Sequence, residues 1–281
     1  MGRRLPPAVL AIGLSLAASA APVFPAPEKS PPPARPKIAV VIDDFGLTTR
    51  KNVPDRYWMD IPWPVSFAVM PESPRTKKAA RETLKHGHEL LIHFPFDPFL
   101  DLSLRPDRVY PGDVKQVEWL FKKAMRDIPG AKGLNNHRSL KATMNRPLMA
   151  WFMGFLKPTG LYFVDSRVSS KSVAYGEALK AGLRAARNSY FLDTAGVHSR
   201  DFCRQMLRRA SRIARKKGSV LVIGHHYFWA TYKCLLQEVP RLQKEGFDFV
   251  FASRVAEASR DAAKGAGGGS RTHTALSAER F

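Results

Sequence analysis

Polar side chains follow several predicted strands at the point where each strand ends. Asp43 and Asp44 come directly after the apolar run at residues 37–42. Later strands are followed by the polar residues His93, Asn136, His137, Asp165, Arg167, His225 and His226. Because the carboxyl ends of parallel strands meet at one edge or rim, we expect these side chains to converge. One carboxylate oxygen and two neutral imidazoles suit a catalytic zinc ion, which needs three protein ligands and an open position, and manganese also fits.

Each of these residues also has a structural explanation when it is taken alone. Asp43 or Asp44 can simply cap the turn at Gly46, and a histidine after a strand is often a hydrogen-bonded loop residue. Two adjacent carboxylates repel each other, however, and a cation, an arginine or a shared proton relieves that repulsion. The arrival of several carboxylates and imidazoles at one face therefore favours a binding or catalytic site.

Short apolar strands alternate with segments of helical periodicity, which is typical of a largely parallel α/β sheet or barrel. We predict strands at residues 37–42, 65–69, 89–92, 132–134, 161–164, 183–187, 220–223 and 247–251. Helices are expected between them, one of them with Asn145 as its N-cap. Seven or eight β/α units in one domain, residues 37–258, predict a distorted barrel, with an open doubly wound sheet as the alternative.

The two ends of the chain differ in composition from this domain. A basic start, an apolar run at residues 8–18 and small residues after it predict a secretory signal peptide at residues 1–20, with an uncleaved anchor as the alternative. Residues 21–36 are rich in proline and alanine and predict an extended linker. The glycine-rich residues 259–281 predict a disordered tail. We therefore expect an exported, periplasmic or otherwise extracytoplasmic protein with no transmembrane helix in its mature chain.

The formal net charge of the 281-residue chain is +21 at pH 7. A charge of that size suits nucleic acid, an anionic membrane surface or an acidic polymer, and export disfavours nucleic acid as a partner. The densest basic run, residues 204–217, carries apolar residues at helical spacing, which is the pattern of a solvated amphipathic helix. Cys203 and Cys234 both fall in predicted helices, where a disulfide and two buried thiols remain alternatives.

Five blocks of the chain, taken in order, resemble the motifs of the divergent polysaccharide deacetylase family. They are Ile42-Asp43-Asp44-Phe45-Gly46, Gly87-His88-Glu89-Leu90-Leu91-Ile92-His93-Phe94-Pro95-Phe96-Asp97-Pro98, Asn135-Asn136-His137, Phe163-Val164-Asp165-Ser166-Arg167 and Ile223-Gly224-His225. That family is an exported branch of the NodB-homology carbohydrate esterases, which have a distorted β/α barrel. The resemblance implies a metal-dependent hydrolase that removes N-acetyl groups from a polysaccharide or peptidoglycan-type glycan of the cell envelope.

The resemblance also implies a role for each matching residue. The divalent metal, with zinc as our first expectation, is assigned to Asp44, His93 and His137. Catalysis is assigned to Asp43 as the base and to His225 as the general acid, with Arg167 and Asp165 beside Asp43. Substrate contacts are assigned to Asp97, Asn135, Asn136 and Arg138.

The chain departs from the family pattern at two places near these residues. After His137 the family typically has Met-Gly-Ser, whereas this chain has Arg138-Ser139-Leu140. After the late histidine the family often has proline, whereas this chain has His226-Tyr227. A second interpretation therefore stays open, in which a non-catalytic envelope protein of the same fold binds anionic glycan. It would use the basic surface and the aromatic residues Phe94, Phe96, Phe99, Tyr227, Phe228 and Trp229.

Overall fold

The computed structural model describes residues 1–2, 34–47, 53–97, 100–103, 105 and 107–258 of the chain. The chain divides into a short unit, Met1–Pro33, and a second unit, Ala34–Phe281, which is the one considered below. Almost all of the predicted signal peptide and linker, and the whole predicted tail, lie outside the described residues. Within the described residues, no helix is long and apolar enough to cross a membrane.

A single sheet of parallel strands forms the centre of the second unit. Its strands are β1 (Lys37–Phe45), β2 (Ser66–Val69), β3 (Glu89–Pro95), β4 (Gly133–His137), β5 (Tyr162–Asp165), β6 (Ala185–Arg187), β7 (Tyr190–Phe191), β8 (Ser219–His225) and β9 (Asp248–Val250). Their order is β6-β5-β4-β3-β2-β1-β8-β7, and β9 also pairs with β1. Because the strands follow one another around the sheet until β8 meets β1, the fold is a barrel and the doubly wound alternative is wrong.

The barrel is distorted and incomplete. No ladder joins β6 to β7 in the part of the chain that the structure describes. The short strand β7 is absent from the predicted set, since two residues leave no recognisable alternation in the sequence. Several strands also extend further than predicted, so that Asp43, His93 and His137 lie within strands instead of after them.

Seven α-helices accompany these strands in the described residues. They are α1 (Asp55–Met59), α2 (Thr76–Lys85), α3 (Pro111–Asp127), α4 (Arg146–Leu156), α5 (Ala174–Lys180), α6 (Arg200–Lys217) and α7 (Trp229–Lys244). Short 3-10 helices lie at Ala142–Met144, Lys157–Thr159 and Ala252–Arg254. Asn145 caps α4 as predicted, because its side-chain oxygen accepts from the backbone nitrogen of Leu148 at 2.9 Å. Cys203 of α6 and Cys234 of α7 form a disulfide, with Cα atoms 6.4 Å apart.

The two faces of the sheet bury different side chains. In β1, Ile38, Val40 and Ile42 pack with the helices in the larger core cluster. Ala39 and Val41 point the other way and join a smaller cluster inside the barrel. Successive residues of a strand alternate between the two faces, so Asp43 continues the inner row of Ala39 and Val41. The strand register thus decides which polar residues reach the interior of the barrel.

Candidate metal centre and catalytic site

Five polar side chains share the inner face at the carboxyl ends of four strands. Asp43 pairs with His225 in the β1–β8 ladder, and His93 pairs with Asn135 in the β3–β4 ladder. His137 lies two residues after Asn135 and therefore on the same face of β4. Asp43, His93, Asn135 and His137 are all buried, and His225 is partly exposed. The barrel therefore gathers one carboxylate, three imidazoles and an amide at one end.

Asp44, His93 and His137 bring three possible metal-ligand atoms together. Asp44 Oδ1 lies 3.2 Å from His93 Nε2 and 3.2 Å from His137 Nδ1. The two ring nitrogens are 3.0 Å apart. Asp44 has a φ of 71°, which turns its side chain out of the regular alternation of β1. This left-handed backbone costs an aspartate on the order of 1 kcal/mol or more, and such strain clusters at functional sites.

The surroundings of these atoms fit a divalent metal. His93 Nδ1 lies 2.9 Å from Asn135 Oδ1, and because an amide oxygen only accepts, Nδ1 carries a hydrogen and Nε2 is the nitrogen that faces Asp44. The Asp44 Oδ1 atom is buried and has no hydrogen-bond partner among the described residues. Burial raises the pKa of Asp44, but its contacts with His137 and His93 outweigh burial and hold that pKa well below its usual value. An ionised carboxylate facing two imidazole nitrogens is an appropriate donor set for zinc.

Asp43 lies beside this triad but makes different contacts. Its Oδ1 accepts a hydrogen bond from Asn135 Nδ2 at 2.8 Å, and its Oδ2 lies 3.6 Å from His93 Nε2. Burial raises the pKa of Asp43 by more than the charges of His93 and His225 lower it. A carboxylate with a raised pKa is a stronger proton acceptor than an ordinary aspartate. Asn135 touches both Asp43 and His93, so it orients the two residues together.

Asp193 is a site residue that the sequence analysis did not assign. Its Oδ1 lies 2.5 Å from His225 Nδ1, and its Oδ2 accepts from the backbone nitrogen of His225 at 3.1 Å and from the Thr231 hydroxyl. Burial lowers the pKa of His225, but the hydrogen bond and charge of Asp193, with the charges of Asp43 and Asp44, raise it to about 9. His225 therefore carries a proton at neutral pH. The available signal was the apolar run before Asp193, which repeats the pattern of a strand followed by a carboxylate.

Four of the predicted site residues make structural contacts away from the possible metal ligands. The first two are Asp97 and Asn136. Asp97 accepts from the backbone nitrogens of Lys141 and Ala142 and so holds the loop that follows β4. Asn136 lies on the outer face of β4, where its Oδ1 accepts from the backbone nitrogen of Ser166. The substrate contacts assigned to these two residues remain predictions.

The other two are Asp165, which faces the helices that pack on β5, and Arg167, which follows the end of that strand. Asp165 accepts hydrogen bonds from the backbone nitrogen of Arg167, the Ser172 hydroxyl and the backbone nitrogen of Tyr175. Arg167 lines a separate cavity of about 640 Å³ together with Arg187. The alternation of β5 explains this placement, because Val164 faces the barrel interior and Asp165 therefore faces outward. The support of Asp43 by Asp165 and Arg167 remains a prediction.

The aromatic residues named for glycan binding divide between core and surface. Phe94 and Phe96 are fully buried and pack against each other with ring centroids 4.9 Å apart, so their assignment to a glycan surface is wrong. Phe99 lies outside the described residues. Tyr227 and Phe228 are partly exposed and Trp229 is exposed at the rim, next to His225 in sequence.

Comparison with known proteins identifies the family. The family model described as divergent polysaccharide deacetylase matches residues 40–256. The uncharacterized protein YibQ of Escherichia coli (strain K12) is 32% identical over 207 residues, which cover 73% of this chain and 63% of that protein. An uncharacterized protein of Haemophilus influenzae (strain ATCC 51907 / DSM 11121 / KW20 / Rd) is 33% identical over 193 residues, which cover 68% of this chain and 67% of that protein.

A solved structure has a similar fold. The uncharacterized protein ATU2773 from Agrobacterium tumefaciens C58 superposes with a TM-score of 0.67 at 18% identity, over 80% of this chain and 91% of that chain. This likeness concerns the fold alone, since the sequence identity is low. The family model covers most of the barrel, including Asp43, His93 and His225. The chain belongs to the divergent polysaccharide deacetylase family.

Proposed function

We propose that the protein is an exported, metal-dependent hydrolase that removes N-acetyl groups from a glycan of the cell envelope. The observation that carries the proposal is the arrangement at the barrel's carboxyl end. Three metal-ligand atoms face one another there, with a buried carboxylate, Asp43, on one side and a protonated histidine, His225, near it. Amide hydrolysis needs a proton acceptor for the attacking water and a proton donor for the leaving nitrogen, and these two residues meet those needs.

Asp44, His93 and His137 would hold the metal in this proposal. When bound there, a divalent ion supplies charge that lowers the pKa of a coordinated water and polarises the acetyl carbonyl. The ligand set of two imidazoles and one carboxylate favours zinc, with manganese as the other choice. Asn135 keeps His93 in the tautomer whose Nε2 faces Asp44. The protein's part is therefore to hold the ligand nitrogens in the correct orientation.

Asp43 and His225 move the protons. Asp43 accepts a proton from the water that attacks the acetyl carbon, and the new carbon–oxygen bond forms as that proton leaves. The carbon–nitrogen bond then breaks, and His225 donates its proton to the departing nitrogen. The products are acetate and a free amino group on the sugar. Asp193 holds the His225 ring through Nδ1, which leaves Nε2 as the nitrogen available for this transfer.

Export is part of the proposal and has two supports. The basic start and apolar run of the N-terminal residues suit a signal peptide. The disulfide between Cys203 and Cys234 suits an oxidising compartment such as the periplasm. Both features agree with a substrate in the cell envelope.

Acetate release tests the proposal directly. Purified protein is incubated with chitooligosaccharides or peptidoglycan fragments, with zinc and after treatment with a chelator. We expect acetate only with zinc, and a loss of about 10²- to 10⁴-fold in kcat for Asp43→Asn, which removes the base but none of the ligands. Equal rates in Asp43→Asn and wild type would refute the role of Asp43 as the base. Glycan binding without any acetate release would instead favour the non-catalytic glycan-binding protein of the same fold.

A further inference from the structure

A cavity of about 640 Å³ lies at the end of the barrel opposite the metal centre, and we call it the amino-end cavity. Glu89 and Tyr162, which line it, are the first residues of β3 and β5. Lys132 and Arg184, which also line it, directly precede β4 and β6. The cavity therefore opens at the amino ends of the strands, whereas the possible metal ligands lie at the carboxyl ends.

The walls of the amino-end cavity are largely apolar. They are formed by Leu84, Leu90, Leu161, Leu183 and Phe251. A concave apolar lining of this volume with a few polar groups is typical of sites that bury a small organic molecule. The polar groups of the cavity then decide which molecule fits.

Glu89 is a buried carboxylate of this cavity, with 7% of its surface exposed. Its Oε1 accepts hydrogen bonds from the Ser66 hydroxyl at 2.8 Å, the Tyr162 hydroxyl at 2.7 Å and the Ser253 backbone nitrogen at 3.2 Å. Burial, followed by the charge of Glu89, holds the pKa of Tyr162 well above its usual value, so that hydroxyl stays a donor. In the part of the chain that the structure describes, nothing donates to Oε2 and no cation forms an ion pair with Glu89. Oε2 is therefore the oxygen through which Glu89 can bind a ligand.

The free oxygen of Glu89 favours a positively charged donor. A buried carboxylate without a cation partner is unfavourable, and a ligand that brings a positive charge to it offsets that cost. A carboxylate oxygen only accepts hydrogen bonds, and an ammonium group only donates them. An ammonium group on the ligand is therefore the chemical complement of Glu89 Oε2.

The other charged side chains of the cavity limit the net charge of such a ligand. They are all cationic and exposed, namely Lys132, Lys157, Arg184 and Arg254. Arg184 is held in place, because its Nη2 donates to the backbone oxygens of Ser253 and Ala256. Positive charges that line one cavity repel a ligand with net positive charge and attract an anionic group. The ammonium that fits Glu89 therefore belongs to a molecule that also carries an anionic group.

We propose that the amino-end cavity binds a small zwitterion with an apolar body, whose ammonium group contacts Glu89 Oε2 and whose anionic group lies among the four cations. An α-amino acid with an apolar side chain has this chemistry, and so has a short apolar peptide with free ends. The apolar body packs against the leucine side chains and Phe251. This binding is independent of the proposed reaction, because the cavity and the metal centre lie at opposite ends of the barrel.

Isothermal titration calorimetry with matched probes tests the charge requirement on the wild-type protein. The probes are L-phenylalanine, N-acetyl-L-phenylalanine, which lacks the ammonium group, and L-phenylalanine amide, which lacks the carboxylate. We expect phenylalanine to bind about tenfold more tightly than either blocked form, because each of these loses one hydrogen bond between charged groups. The dipeptide L-phenylalanyl-L-alanine is the fourth probe, and the tighter of the two zwitterions shows whether a free amino acid or a peptide is the preferred ligand.

Variants assign the binding to the charged groups of the cavity. In Glu89→Gln the amide oxygen can keep the three hydrogen bonds of Oε1 while the negative charge is lost, so phenylalanine should bind about tenfold more weakly. Glu245→Gln is the matched control, since Glu245 is exposed at the end of α7, does not line the cavity and changes the net charge equally. The double variant Lys157→Gln and Arg254→Gln should narrow the difference between phenylalanine and its amide.

Asp44→Ala separates the amino-end cavity from the metal centre. This control is needed because an amino acid can ligate zinc through its nitrogen and oxygen atoms. We expect phenylalanine to bind Asp44→Ala as tightly as it binds the wild type, whereas Glu89→Gln loses the binding.

Several outcomes would overturn the zwitterion site. These are equal binding of phenylalanine and its blocked forms to the wild type, no heat of binding with any probe at millimolar concentration, or an equal loss in Glu89→Gln and Glu245→Gln. Binding that is lost in Asp44→Ala and kept in Glu89→Gln would place the ligand at the metal centre and also overturn the site. The comparison of the probes on the wild type holds even if a variant fails to fold.

Discussion

Replacing Asp193 with asparagine keeps the size of the side chain but removes the negative charge that faces His225. The amide oxygen can still accept a hydrogen bond from His225 Nδ1, while the amide nitrogen replaces the oxygen that accepts from the His225 backbone nitrogen. The favourable charge interaction across the 2.5 Å contact is lost. We therefore expect the pKa of His225 to fall in Asp193→Asn.

The structure sets the size of this effect. The pKa of His225 is about 9 against an ordinary 6.5, a difference of about 2.5 pH units. One pH unit corresponds to about 1.4 kcal/mol, so His225 contributes roughly 3 kcal/mol to the free energy of unfolding of the metal-free protein. Asp43 and Asp44 supply part of the increase, and the loss of the Asp193 charge should lower the pKa in the variant toward its ordinary value.

The sign of the pH dependence follows from the raised pKa. The stabilising contribution of protonated His225 is complete below pH 6.5 and is lost as the pH rises through about 9. Urea unfolding of metal-free wild type should therefore show falling stability between pH 7 and pH 10. Asp193→Asn should be less stable at pH 7 and show a smaller decline over that range. NMR titration of the histidine ring signals measures the pKa itself.

Thr231→Val is the matched control, because it removes one donor to Asp193 but leaves the pair with His225 intact. We expect the pKa of His225 to change by less than about 0.5 in this variant. A His225 pKa near 9 in Asp193→Asn would refute the reasoning. A pKa below 7 in the wild-type protein would also refute it.

Three further perturbations have defined outcomes. Asn135→Ala removes a hydrogen-bond partner of the ligand histidine and is expected to weaken zinc binding about 10- to 100-fold in a competition titration. Reducing the disulfide of Cys203 and Cys234, which are 31 residues apart, should lower the free energy of unfolding by about 3–4 kcal/mol in urea. Gly133→Ala should destabilise by about 1–3 kcal/mol or more, since a Cβ there would lie 2.6 Å from the Tyr162 ring.

Each of these outcomes has a control. Unchanged zinc affinity in Asn135→Ala would show that the amide does not orient the histidine. A double Cys→Ser variant should be as stable as the reduced protein and insensitive to reductant. Gly176→Ala places a Cβ where no other atom lies within 4 Å, and because Gly176 lies inside α5 the alanine should keep or slightly raise the wild-type unfolding midpoint. A midpoint for Gly133→Ala as high as that of the wild type would contradict the packing argument.

The expectation that functional side chains lie at the carboxyl ends of strands accounts for much of the site. The alternation of side chains between the two faces of a strand accounts for the exceptions. Asp43, His93 and His225 are predicted at the ends of strands, and the structure brings them to one end of the barrel. Asp165 obeys the same rule but faces outward, because it alternates with the inward-facing Val164. Applying this two-residue alternation to each predicted strand would have distinguished inward-facing from outward-facing residues on the basis of the sequence alone.

Other features of the site depend on tertiary context. The strand before Asp193 is two residues long and exists through its pairing with β8, so its sequence shows no alternation, and the short apolar run before the carboxylate is the only local signal. The left-handed backbones of Asp44 and Arg138 have no signature in residue type, since neither is a glycine. The approach of Tyr227 to Asp44 joins residues from two strand ends that are far apart in sequence. These contacts come from closing the sheet and not from the segments themselves.

The metal content of the purified protein tests the central claim most directly. After loading with zinc and dialysis, elemental analysis by mass spectrometry should find about one metal ion per wild-type chain. Asp44→Ala should retain almost none, whereas the control Asp97→Ala, which removes a nearby carboxylate outside the triad, should retain the wild-type amount. No metal in the wild-type protein, or an equal amount in Asp44→Ala, would contradict the account.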